Sequence, residues 1–74
     1  MSFIDMYADG ASRSNPGPAG IGVVIYKNGE ELFTISEYIG TKTNNEAEYL
    51  ALLKGLDYLI EQGEQFVNCF LDSK

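Results

Sequence analysis

Histidine is absent from the 74 residues, and cysteine occurs once, at Cys69. A zinc site therefore has almost nothing to be built from, and no internal disulfide can form. A lone cysteine in an apolar run reads as a core residue in a reducing compartment. Basic residues are also scarce: five Lys and Arg stand against eleven Asp and Glu, for a net charge of −6. That balance argues against a simple basic nucleic-acid binder, which neutralises phosphates with lysine and arginine. No run is long and apolar enough to span a membrane, and the start lacks a basic-then-apolar signal. The expectation is a soluble cytoplasmic protein. The length suits one small domain, residues 1–74, of a size that is marginal without a staple.

What is present reads as alternating strand, turn and helix signals, with no repeat or low-complexity tract. Phe3 to Asp9 predicts a strand ending at Asp9-Gly10, its alternation interrupted by Asp5. Ala11 to Gly20 is rich in turn formers (Ser12, Ser14, Asn15, Pro16, Gly17, Pro18) and reads as a loop. Ile21 to Tyr26 is a second strand, Asn28-Gly29 a hairpin turn needing positive φ twice, and Leu32 to Tyr38 the return strand. Thr43 to about Gln62 predicts a helix. Thr43 and Glu46 have capping-box spacing, and Gly63 is a plausible stop. Tyr49, Leu52, Leu53, Leu56, Leu59 and Ile60 recur at helical spacing as its apolar stripe. Phe66 to Leu71 is a fourth strand, followed by Asp72-Ser73. The fold class is α/β: an antiparallel meander, a crossover helix and a fourth strand parallel to the first. That fourth strand would be a naked apolar edge, which invites pairing with a second copy. It also suggests a domain truncated at its carboxyl end.

Asp9 and Asp72 would close adjacent parallel strands, at the end where open α/β sheets keep their sites. At about 100° per residue, Glu48 lies roughly 20–40° from Leu59 and Leu52 around the helix. It should face the sheet, whereas Glu46 points away. Three carboxylates converging without a basic neighbour need hard cations such as Mg²⁺ to neutralise them. Bound cations would also reverse the local field of an acidic chain. The plainer readings stay open at this point. Asp9-Gly10 suits an ordinary turn, Glu48 suits the positive end of a helix dipole, and Asp72 suits a helix cap. Asn44 and Asn45 suit a cap or turn, and Asn15 to Pro18 a rigid loop.

A resemblance narrows these choices. Tyr7-Ala8-Asp9-Gly10-Ala11-Ser12 followed by Asn15-Pro16-Gly17-Pro18-Ala19-Gly20-Ile21-Gly22 resembles the opening motif of type 1 ribonucleases H. Thr43-Asn44-Asn45-Glu46-Ala47-Glu48-Tyr49 resembles the family's second motif, and Leu71-Asp72-Ser73 its third. The resemblance implies a ribonuclease H-like mixed sheet of order 3-2-1-4-5, here β-β-β-α-β without the fifth strand. It implies a metal-dependent endonuclease that cuts the RNA strand of an RNA·DNA hybrid, leaving 5′-phosphate and 3′-hydroxyl ends. Asp9, Glu48 and Asp72 would be the catalytic metal ligands for two Mg²⁺ ions, with Mn²⁺ as substitute. Gly10, Ser12, Asn15, Asn44 and Asn45 would contact the hybrid, the two adjacent asparagines sensing 2′-hydroxyls. The family's fourth carboxylate and fifth strand lie beyond Lys74, and Ser14 stands where many members have glycine. Two other readings remain: a catalytically inactive binding or assembly module of the same fold, and a nucleotide-binding domain of the sugar-kinase and actin class. The Thr43-to-Tyr49 motif is foreign to the latter.

Overall fold

The computed structural model of the chain describes residues 3–64 and 66–71. Four strands and a helix follow in the expected order: β1 (Ile4–Ser12), β2 (Gly17–Lys27), β3 (Glu30–Lys42), α1 (Asn44–Glu61) and β4 (Asn68–Leu71). They form one sheet of order β3-β2-β1-β4. β1 pairs antiparallel with β2 and parallel with β4, and β2 pairs antiparallel with β3. The mixed sheet and its crossover helix are those the resemblance implies.

Asn28 and Gly29 have φ of 52° and 86°, the two positive values the tight hairpin requires. The Asn28 side chain accepts from the Phe3 N–H at 2.8 Å, and the Asn28 N–H donates to the Phe3 carbonyl at 2.8 Å. The hairpin tip is thereby clasped to the start of β1. Thr43 and Glu46 form the capping box: the Glu46 N–H donates to Thr43 Oγ1 at 3.1 Å, and the Thr43 N–H to Glu46 Oε1 at 2.9 Å. At the other end Gly63, at φ 77°, closes a Schellman motif. The Glu64 N–H reaches the Leu59 carbonyl and the Gly63 N–H that of Ile60, both at 3.0 Å.

Alternate residues of β1 and β2 face the helix. Ile4, Met6, Ala8, Ile21, Val23 and Ile25 are buried against Ala51 and Leu59 of α1. Each of the larger side chains contributes about 1.5–3 kcal/mol by leaving water. The buried seam of the helix is Ala47, Ala51, Gly55 and Leu59; of the stripe that the spacing predicts, only Leu59 lies in it, while Leu52 and Leu56 pack half-buried beside it. Tyr49 and Ile60 are exposed. The reason is close approach: a Cβ on Gly55 would sit 2.2 Å from Met6 Sδ, so the contact line must be small. Hydrophobicity weights large side chains, whereas helix-on-sheet distance selects small ones.

Several strand boundaries also differ from the sequence reading. β1 runs on to Ser12 and β2 starts at Gly17, because Asp9 to Ser12 pair with Gly22 back to Ala19. The expected loop shrinks to residues 13–16, since ladder pairing outweighs local turn preference. β3 continues to Lys42, and its register slips by one residue opposite Ala19/Gly20, where Gly40 takes φ 83°. β4 begins at Asn68 rather than Phe66, and Cys69 on this edge strand is exposed, not in the core. Asp72 and Ser73 lie outside the described residues. No helix among the described residues is long and apolar enough to cross a membrane.

Candidate functional site

Because buried residues alternate along β1, Asp9 falls on the face away from α1 and is exposed. Its partner across the ladder is Gly22, and Ala11 is opposite Gly20. Two glycines two apart on one strand leave a strip without side chains. A shallow depression of about 780 Å³ lies over that strip, bounded by Asp9, Ser12, Arg13, Glu37 and Tyr38. A second, more apolar one of about 380 Å³ lies beside it, between Tyr7, Val24, Phe70 and Leu71, and Asp9 borders both. Tyr7 stacks on Phe70 with centroids 4.9 Å apart and meets Tyr26 edge-on at 5.9 Å.

Gly10 is buried on the opposite face, under the first turn of α1. A Cβ there would lie 2.1 Å from the Ala47 carbonyl oxygen and 2.7 Å from the Glu48 nitrogen. Backbone thus rests on backbone, one residue from Asp9 and at the half-buried Glu48 itself. Asp72, the third expected carboxylate, lies outside the described residues. Leu71, just before it, pairs with Ala8, just before Asp9. Among the described residues no three His, Cys, Asp or Glu side chains gather as a metal-holding group. The ion pairs there are Lys27–Glu64 and Lys54–Glu37, and neither engages Asp9 or Glu48. Asp9 and Glu48 carry hard oxygen donors, of the kind that suits Mg²⁺ or Mn²⁺.

The asparagines join the loop to the helix. The Ser12 N–H donates to Asn44 Oδ1 at 2.7 Å, and the Ser12 hydroxyl approaches the same oxygen at 3.1 Å. The Asn44 N–H donates to Asn15 Oδ1 at 3.0 Å. Asn45, next on the helix, is exposed. Glu46 stays in its capping box, where the Thr43 N–H first and the Thr43 hydroxyl second hold its carboxyl below the usual range. The sequence reading passed over Arg13, Glu37 and Tyr38 as neighbours of Asp9. The Gly20/Gly22 spacing was the available signal, hidden by assigning Gly20 to a loop.

The RNase H family model matches residues 2–74. The chain belongs to the ribonuclease H family. Among its relatives, the bifunctional protein Rv2228c of Mycobacterium tuberculosis is 44% identical over 69 residues, which cover 90% of this chain and 19% of that protein. The structure of LC11-RNase H1, isolated from compost by a metagenomic approach, superposes with TM-score 0.89 at 47% identity, covering all of this chain and 56% of that one. The same LC11-RNase H1 in complex with an RNA/DNA hybrid gives TM-score 0.86 at 46% identity, covering 96% of this chain and 55% of that one. The chain thus spans about half the length of the solved ribonuclease H1 chains it matches.

Proposed function

We propose that this ribonuclease H chain, one domain unit over residues 1–74, serves hydrolysis of the RNA strand of RNA·DNA hybrids in the cytoplasm. The observation that carries the reading is the match of 96% of this chain to a ribonuclease H1 solved on an RNA/DNA hybrid, together with the close backbone approach of Gly10, next to Asp9, to α1 at Glu48. Asp9, Glu48 and Asp72 are the carboxylates we assign to metal, with two Mg²⁺ ions, or Mn²⁺, in the intact domain. Bound there, such a pair supplies charge neutralisation and an activated water for in-line displacement at phosphorus. The chain's own residues orient the substrate. Gly10 and Ser12 fix the strand end beside the carboxylates. Asn15, Asn44 and Asn45 line up at the junction of loop and helix to meet the hybrid's minor groove, where 2′-hydroxyls distinguish RNA from DNA. Gly20 and Gly22 keep the face over Asp9 clear.

Cleavage of an end-labelled RNA·DNA hybrid in Mn²⁺, with the chain and its Asp9→Asn variant, tests this. Activity lost in the variant supports the reading. A folded chain without activity sends the assay to the full-length protein. Hybrid binding without cleavage there would replace the nuclease by a recognition module. Mg²⁺ is expected to raise the melting temperature, since a ligand of the folded state alone stabilises it. Equal values with Mg²⁺ and with a chelator would count against a preformed metal site.

A further inference from the structure

A carboxamide has two faces of opposite polarity, an oxygen that only accepts and an NH₂ that only donates. Which one meets a ligand depends on what holds the other. The network between the loop and the helix settles this for two asparagines. Backbone N–H groups can only donate, so whatever meets them must be oxygen. The Ser12 N–H, 2.7 Å away, therefore holds the Asn44 oxygen inward, and the Asn44 N–H, 3.0 Å away, holds the Asn15 oxygen inward.

Strand geometry explains why the Ser12 N–H is available. The next amide along β1, that of Arg13, donates to the Pro18 carbonyl of β2 at 2.9 Å. Successive strand amides point to opposite edges, so the Ser12 N–H points away from β2. The last parallel pair with β4 among the described residues is Ala8 with Leu71, four positions earlier. Asn44 thus serves this amide in place of a neighbouring strand. Asn15 likewise serves an N-terminal helix amide that has no partner inside the helix.

We propose that Ser12 is a positioning residue whose backbone amide, with that of Asn44, locks both carboxamides so that their NH₂ groups alone are offered outward. The proposal rests on the hybrid-binding reading and deepens it. The loop–helix junction is then a donor-only surface, and its ligand is a set of acceptors: purine N3, pyrimidine O2 and the lone pairs of 2′-hydroxyls along a minor groove. An outward oxygen at either position would face those acceptors and repel them.

The aspartate isostere separates this role from a structural one. Asn44→Asp and Asn15→Asp each keep an inward oxygen for the backbone N–H but turn an acceptor outward. Asn44→Ala removes both groups. Three readouts are compared on the 74-residue chain: thermal unfolding, hydrogen exchange of the Ser12 amide, and binding of a fluorescent RNA·DNA hybrid in Ca²⁺ across a salt series. The Asp variants should melt no lower than wild type. Ser12 exchange should stay slow in Asn44→Asp and rise about tenfold in Asn44→Ala, the size of one lost hydrogen bond. Hybrid affinity should fall about tenfold or more in each Asp variant. The deficit should persist as salt rises, because lost donors are not screened while added charge is. Asp variants that bind as wild type, or Ser12 exchange unchanged in Asn44→Ala, would overturn the proposal. A wild-type chain that binds no hybrid would overturn the functional reading and the substrate half of this one, while the exchange comparison still decides the lock.

Discussion

Gly10→Ala is the substitution the structure condemns most firmly, and its size can be worked out. The new Cβ would meet three backbone atoms: the Ala47 oxygen at 2.1 Å, the Ala47 carbon at 2.3 Å and the Glu48 nitrogen at 2.7 Å. Ordinary contact begins at 3.4 Å, so the first turn of α1 must retreat by roughly 1 Å or more. Backbone cannot swing aside as a side chain can, and β1 at Gly10 is held in the ladder with β2. The cost belongs at the upper end of overpacking, about 3 kcal/mol. A chain of this length holds only on the order of 4–11 kcal/mol in total. The retreat also moves the backbone at Glu48; if Glu48 and Asp9 hold metal as proposed, a displacement of about 1 Å should cost about a hundredfold in rate as well. Gly55→Ala is the internal control. Its Cβ meets Met6 Sδ at 2.2 Å and Val23 Cγ1 at 3.1 Å, both side-chain atoms. Alanine there also gains about 1 kcal/mol of helix propensity over glycine. Denaturant unfolding should place Gly55→Ala below wild type, but by less than Gly10→Ala, because its clash is with side chains and is partly offset by helix propensity. Equal stability of wild type and Gly10→Ala would refute the argument that backbone contact fixes the helix at this point.

Other outcomes follow from single contacts. Thr43→Ala removes the hydroxyl of the capping box and should cost about 1 kcal/mol in urea unfolding, with an unchanged m-value. Glu46 has its carboxyl held low in the fold, so its contribution is present above its unfolded pKa and is lost as pH falls through the lower folded one. Melting curves of wild type and Glu46→Gln should therefore differ at pH 6 and converge only once the pH has fallen through the lowered folded pKa. A constant gap would reject that linkage. The β4 edge, with Phe70 and Leu71 about half exposed, should make this chain self-associate. A strictly monomeric sedimentation profile at high concentration would dispose of that idea.

Much of this was legible in the residues, where local chemistry decides the outcome. Asn28-Gly29, Thr43 with Glu46, and Gly63 each act within a few residues, and the structure has the turn, the cap and the stop where they were read. The strand order followed from the meander and the crossover rule, and the sheet has that order. Non-local effects were hidden. Nothing local says that Ala11 and Ser12 extend β1, because that depends on pairing with Gly20 and Ala19. The small-residue seam of Ala47, Ala51 and Gly55 depends on a helix-to-sheet distance that no periodicity encodes. Around the candidate site, Asp9 does not end its strand as its Asp-Gly sequence suggests: β1 runs on to Ser12, and it is the alternation along β1 that leaves Asp9 exposed. The bare strip of Gly20 and Gly22 and its neighbour Tyr38 became visible only once β2 and β3 were set in register.

The clasp between Asn28 and Phe3 has a practical meaning for anyone attaching something to this protein. It anchors the entry of the chain to the hairpin tip, while Asp9 sits six residues further along an extended strand. At about 3.3 Å per residue, that separates the two by roughly 20 Å. A dye or cross-linker attached at Phe3 would therefore sit at the far end of the sheet, with the depression around Asp9 left open.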